Sequence, residues 1–238
     1  MTDPRITESS GLTRSTVHPD VLYTHNDRGG TPSVYAVDAS GTRAALRLAV
    51  PAAEDWEDIA STPDGKLWIA DTGDNDLVRE SVQLLVVEEP DVLVSSTLPA
   101  TTYDLRYPDG PRDAEALLVD PVDDRVFLVT KDLEEGEVYE APAELDPDGS
   151  NLLELVGTAP PNITGGDFSP DGGLVALRNQ GKAYFSTEPG GTTTDYDLPD
   201  QPQGESITFT DDARFVLVGS EGVSSTILCM PTPRGIEQ

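Results

Sequence analysis

Short apolar stretches separated by turn residues recur along this chain. Each stretch is four to eight residues long and carries β-branched, leucine and aromatic side chains, a pattern that predicts strands. Five degenerate segments repeat it: ESSGLTRSTVHPDVLYTHND, EDWEDIASTPDGKLWIADTGD, RDAEALLVDPVDDRVFLVTKD, TGGDFSPDGGLVALRNQ and QGESITFTDDARFVLVGSEG. In each, an acidic or small-polar run leads into a strand, then a turn, then a second strand with a polar end. The first apolar anchors are Leu12, Ile59, Leu117, Phe168 and Ile207, spaced 47, 58, 51 and 39 residues apart. Multi-strand repeats of about 40–50 residues are the signature of propeller blades.

The predicted fold is therefore an all-β, five-bladed propeller forming one domain over 1–238. Its blades fall near 8–50, 51–108, 109–160, 161–200 and 201–238. Six blades would result if the long second repeat concealed a short extra one. Pro63-Asp64-Gly65 and Pro170-Asp171-Gly172 predict tight turns between the first two strands of blades two and four, since Pro pre-sets one dihedral and Gly accepts the next. The last blade lacks a clear outer strand. Arg5–Thr7 and the tail to Gln238 are the segments available to supply it, and their prolines fit only an edge. No useful helical periodicity is present.

Forty-four acidic residues stand against 15 basic ones, a net charge of −29. This excludes nucleic acid, whose phosphates need a basic footprint, and anionic membrane surfaces. Metal cations and cationic ligands stay open, as does a purely solvating role for the charge. The one cysteine, Cys229, cannot form an internal disulfide. Its apolar run, Thr226–Met230, suggests a buried structural thiol. No stretch has the length of a membrane span, and MTDPRITESS has no apolar signal region, so the expected setting is cytoplasmic or that of a processed secreted form. A monomer is expected.

In a propeller the innermost strand of each blade lines a central channel, so two repeat positions should converge at one mouth. The first lies two residues before each anchor: Ser10, Glu57, Glu115, Gly166 and Glu205. Glu8, Asp55, Asp58, Asp113 and Asp167 flank it. The second is the exit of strand two: His25, Asn26 and Asp27; Asp71, Asp74, Asn75 and Asp76; Lys131 and Asp132; Arg178 and Asn179; Ser220 and Glu221. Carboxylates gathered around a channel repel one another unless a cation or proton sits among them. An all-oxygen donor set points to Ca²⁺, and two histidines are too few for a three-histidine zinc site. Glu57, Glu115, Glu205, Asn26, Asp71 and Asp74 are the candidate ligands. Within DTGDND an Asx-rich turn competes with metal ligation, and no bidentate Glu follows at calcium-loop spacing.

Lys131 and Arg178 are scarce cations at the same repeat position as His25. They could grip an anionic or carbonyl oxygen, Lys131 could act as an acid or base if its pKa were lowered, or both could simply neutralise the acids. With Glu115 and His25 they make up the candidate catalytic set. No nucleophile elbow, phosphate loop or dinucleotide fingerprint appears. The expected partner is a small molecule. Metal-dependent hydrolysis of an ester, lactone or phosphoester is the simplest chemistry, and a non-catalytic binding module is the alternative.

The ordered series ESSGL, HND, DWEDIA, DTGDN, YPDGPRDAEALL, GGDFSPDG, PQGES and SEG resembles a largely uncharacterised bacterial propeller family from about Glu8 to Gly222. The resemblance implies a propeller with a shared mouth on Glu57, Asp71, Asp74, Asn75, Glu115, Lys131, Glu205 and Glu221, but no settled activity. LRNQGKAYF, in blade four, departs from the pattern and puts Arg178 and Asn179 in question. More distantly, the mouth is similar in kind to calcium-dependent propeller lactonases and phosphotriesterases.

Overall fold

The structure, a computed structural model, describes residues 1–236. Among these the chain forms 21 strands and no helix, arranged as five blades of a β-propeller. Blade one contains β1 (Ser9–Arg14), β2 (Leu22–Asn26), β3 (Ser33–Asp38) and β4 (Gly41–Leu48). Blade two follows with β5 (Trp56–Thr62), β6 (Lys66–Asp71) and β7 (Val82–Glu88), then β8 (Ser96–Leu98) and β9 (Thr101–Arg106). Blade three holds β10 (Ala114–Val119), β11 (Val126–Thr130) and β12 (Gly136–Glu140), then β13 (Ser150–Leu152) and β14 (Glu154–Ala159). Blade four is β15 (Gly165–Phe168), β16 (Val175–Arg178), β17 (Lys182–Ser186) and β18 (Thr194–Asp197). Blade five is β19 (Gly204–Phe209), β20 (Phe215–Ser220) and β21 (Leu228–Pro231).

Within each blade the strands run antiparallel by local hairpins. The Pro-Asp-Gly turns do what their chemistry requires: Gly65 and Gly172 take φ of +81° and +72°, and their N–H groups close on Thr62 O and Ser169 O at 3.0 and 2.8 Å. Two short strands cross between blades. β8 leaves blade two to pair in parallel with β4 of blade one, and β13 leaves blade three to pair with β9 of blade two. The extra length of the second repeat is thus spent on stitching to its predecessor, not on a sixth blade.

Blade five stops at three strands among the described residues. Arg5–Thr7 forms no strand; Met1 only brings its amine to Ser225 O. Of the tail, Gln238 and its neighbour at 237 lie outside the described residues. Cys229 is exposed, contrary to expectation, because it sits on β21, whose outer edge no fourth strand covers.

The core is a series of slabs between blades, each filled from two facing sheets. Leu46, Leu48, Trp56, Ile59 and Leu85 fill the first, and Leu84, Leu105, Leu117, Leu128 and Tyr139 the second. Phe127, Val129, Phe168 and Leu177 fill the third, and Phe185, Ile207, Phe209 and Val218 the fourth. Where blade five meets blade one, the small group of Ile6, Tyr35 and Val37 belongs to blade one and its leading segment alone. A cleft of about 360 Å³, lined by Leu22, Val37, Leu217 and Ile227, opens there.

Polar pegs fix the hub. The Asp58 carboxylate accepts the N–H groups of Ile59 (2.9 Å), Leu117 (3.0 Å) and Gly166 (3.2 Å), tying β5 to β10 and β15. Asp167 accepts Thr208 Oγ1–H and Phe209 N–H at 2.7 and 3.0 Å, tying β15 to β19.

Candidate functional site

Four of the five inner strands carry a one-residue bulge at the same place. The register slips between Ser9 and Leu12, Trp56 and Asp58, Ala114 and Ala116, and Gly204 and Ile207. The slips fall on Ser10-Gly11, Glu57, Glu115 and Glu205-Ser206. β15 has a regular register across Gly166, the one blade with no side chain at that position. A bulge re-aims a side chain out of the pleat. Here it frees three glutamates from the alternation that would bury them between blades.

Glu57 is 5% exposed, and neither of its oxygens accepts a hydrogen bond from the described residues. It is shared by two triads in which one oxygen per residue lies within 4.8 Å of the others: Asp27, Asp55 and Glu57, and Glu57, Asp113 and Glu115. Gly73 makes this possible, because a Cβ there would stand 2.0 Å from Glu57 Oε1 and 2.5 Å from Asp55 Oδ2. Each triad meets one basic side chain. Arg28 grips Asp55 through Nε and Nη2 at 2.7 and 3.0 Å, and Lys131 Nζ donates to Glu115 Oε1 at 2.5 Å.

Burial pushes the Glu57 carboxyl well above its usual range, and Glu115, Asp27, Asp55 and Asp113 add repulsion. Burial likewise lifts Glu115 to about 8, against the pull of Lys131, and Asp27 to about 8, where Asp55 adds to it and Arg28 opposes. Among the described residues Asp27 Oδ1 is buried without a hydrogen-bond partner, though Arg28 Nε stands 3.8 Å from it. Glu205 is buried and raised by desolvation, with Lys131 pulling it down. Glu221, half-buried, rises to about 7 through burial and the charges of Glu205 and Glu8. For Lys131, burial acts downward but Glu115, Glu205 and Glu57 outweigh it, so its pKa is raised. That direction favours the ammonium form of Lys131 over the lowered-pKa acid or base expected from sequence.

The structure thus brings together Glu57, Glu115, Glu205 and Lys131, with Asp27, Asp55, Asp113 and Glu221 beside them. Other candidates are spent elsewhere. Asn26 Oδ1 accepts Thr7 and Glu8 N–H, and its Nδ2 donates to Arg5 O. Asp71 accepts from Glu54 N, Asp55 N and Trp56 Nε1 and pairs with Arg79 at 3.0 Å. Asp74 accepts Val78 and Arg79 N–H. The Asp71 and Asp74 carboxylates of DTGDND are therefore spent on backbone N–H groups before and after the loop, with Gly73 lying against the acids. His25 is fully buried, edge-on to Trp56 at 5.7 Å, with Nδ1 on Asn26 O; burial lowers its pKa to about 4. Arg178 is fully buried and donates to Ser206 O, Gly219 O and Gln201 Oε1, bracing blade four against blade five. Sequence reasoning passed over Arg28, Gly73 and Arg79. Arg28 directly follows the polar exit HND and Gly73 interrupts an acidic run, which are the signals that could have marked them.

No protein-family model matches the chain, and no curated protein matches it. Among solved structures, hydrazine synthase of Kuenenia stuttgartiensis superposes over 98% of this chain and 65% of its own, with TM-score 0.49 and 12% identity. A structure described as the Dos1 propeller superposes over 96% of this chain and 60% of its own, with TM-score 0.46 and 14% identity. The chain spans less than two thirds of either. The resemblance to an uncharacterised bacterial family and to lactonases therefore rests on the quoted motifs alone.

Proposed function

We propose that the mouth of the channel is a cation-dependent site for a small molecule, with Glu57 as the anchoring ligand and Ca²⁺ as the fitting ion. The observation that carries this reading is a buried carboxylate with no hydrogen-bond partner, aimed by a bulge into other carboxylates. Such a group needs a proton or a cation. Two oxygens bound to one Ca²⁺ at about 2.4 Å can stand at most ~4.8 Å apart, and the oxygens of each triad lie within that limit. The donors are all oxygen, as a hard cation prefers.

A bound ion would polarise an ester, lactone or phosphoester oxygen. Lys131 and Arg28 would hold the ligand's anionic or carbonyl oxygens, and Glu221 or Glu205 would take a proton from water. His25 and Arg178 act in this reading as supports, not as reacting groups: the Arg178 guanidinium is engaged by Ser206 O, Gly219 O and Gln201 Oε1, and His25 Nε2, without a hydrogen-bond partner among the described residues, lies against Gly11 of β1. Likeness in kind to calcium-dependent propeller lactonases agrees with this but rests on fold-level analogy. A non-catalytic binding site is the second reading. It is favoured by Arg28 and Lys131 already capping one acid in each triad.

Calcium calorimetry on wild type and Glu57→Gln tests the ion. Binding that persists unchanged in Glu57→Gln would refute the cation reading. A panel of ester, lactone and phosphoester substrates with and without calcium then tests hydrolysis. Turnover lost in chelator and in Lys131→Met is expected; a calcium-loaded, folded protein inert to the panel would favour the binding module.

A further inference from the structure

Glu57 belongs to both acidic triads, and it offers two oxygens. Building on the cation reading above, we infer that the mouth holds two divalent cations bridged by Glu57, each subsite closed by its own displaceable basic side chain. Asp27 and Asp55 complete one subsite, and Asp113 and Glu115 complete the other.

Three observations carry this beyond a single ion. First, the triads overlap only at Glu57, so one ion could satisfy one of them and leave the other repelling. Second, Asp27 Oδ1 is buried and accepts no hydrogen bond from the described residues, its cation being Arg28 Nε at 3.8 Å, while Glu57, 5% exposed, accepts none either and belongs to both triads. Third, seven carboxylates meet here, counting Glu205 and Glu221, against Arg28 and Lys131 alone among the described residues. With all seven ionised, one divalent ion would leave a net charge of −3 at the mouth, and two would leave −1.

The bases are placed as plugs. Arg28 occupies Asp55 and Lys131 occupies Glu115. Their side chains keep 52% and 33% of their surface exposed, so each can swing outward when an ion takes its carboxylate. Once released, both positive groups stand at the rim of a two-ion centre. That arrangement suits a substrate with a phosphate or phosphoester group, whose two non-bridging oxygens each meet one ion. Two-metal sites at ~3.5–4 Å clamp phosphoryl oxygens in this way.

Calcium calorimetry gives the stoichiometry. The expected result is two ions per chain in wild type, one in Asp27→Asn, one in Glu115→Gln and none in Glu57→Gln. Lys131→Met should tighten one of the two binding steps at least threefold and leave the other alone; Arg28→Met should tighten the opposite step. Electron paramagnetic resonance of the Mn²⁺-loaded protein supplies an independent readout: a spin-coupled spectrum in wild type, and an isolated six-line spectrum in Asp27→Asn and in Glu115→Gln. Circular dichroism confirms folding of each variant. A single ion in wild type, lost in Glu57→Gln, overturns the two-ion centre and leaves the cation reading standing. No ion in folded wild type overturns both.

Discussion

Asp58 holds the hub together from a position only 1% exposed, and removing its carboxylate should cost more than removing any exposed acid. Asp58→Ala orphans three buried N–H donors, on Ile59, Leu117 and Gly166. An unsatisfied buried donor costs about 1–3 kcal/mol. The carboxylate itself carries a desolvation penalty that alanine relieves: burial pushes its pKa well up, and the three N–H donors pull the other way. Allowing for that relief, we expect a loss of roughly 4 kcal/mol. Asp58→Asn is the discriminating control. Its oxygen can stay toward Leu117 and Gly166, which share Oδ2, while its NH₂ faces only the Ile59 donor. About 1–2 kcal/mol is expected there. Urea unfolding, followed together by Trp56 and Trp68 fluorescence and by circular dichroism, measures both and checks two-state behaviour. With a slope of ~3 kcal/mol/M the alanine midpoint should fall by over ~1 M. Amide exchange at Leu117 and Gly166 should quicken selectively. An alanine variant within ~1 kcal/mol of wild type, or an asparagine variant as damaged as alanine, would refute the hub-peg argument.

Gly73→Ala should weaken calcium binding at least tenfold while leaving the fold intact, because its methyl would intrude on Glu57 Oε1 and Asp55 Oδ2; calorimetry beside a thermal melt separates the two effects. Arg178→Met should destabilise the protein by about 3 kcal/mol, since it leaves the carbonyls of Ser206 and Gly219 without donors between two blades; denaturant midpoints check this. His25 has its pKa depressed to about 4 by burial, against an unfolded value near 6.5. Its stabilising contribution is complete above pH ~6.5 and is lost as pH falls toward ~4, about 3 kcal/mol in all. Imidazole resonances of His25 still neutral at pH ~5.5, and a shallower acid-side loss of stability in His25→Gln than in wild type, are the expected results.

The blades were legible because their information is local. Apolar anchors, Pro-Asp-Gly turns and polar strand exits sit within a few residues of one another, and the hairpins they specify need no distant partner. The mouth was half legible. Glu57, Glu115 and Glu205 stood out by repeat position, but the bulges that aim them depend on a register that one strand alone does not encode. Asp71 and Asp74 are the same residue type as Asp27 and Asp55. Only the path of the flanking chain, which brings the N–H groups of Glu54 and Asp55 to Asp71 and those of Val78 and Arg79 to Asp74, decides that the first pair caps backbone. β8 and β13 escaped notice because a three-residue parallel pairing about 50 residues away leaves no periodic trace. Cys229 was misjudged for the complementary reason: an apolar strand reads as buried until its missing neighbour is seen.

The strands that cross between blades run in one direction only, from two back to one and from three back to two. Three of the five sectors are therefore laced by paired strands, while four and five lean on their neighbours through side chains and isolated hydrogen bonds such as Asn162 N–H to Asp132 O. Where five abuts one, neither lacing nor a shared slab of oil is present among the described residues, only the inner strands, a few polar ties and a cleft. A closed circle with one such joint has a preferred place to part. Breathing of the molecule should start there, at a seam no strand laces, so of the acids at the mouth Glu205 and Glu221 on blade five should move first and those of blades two and three last.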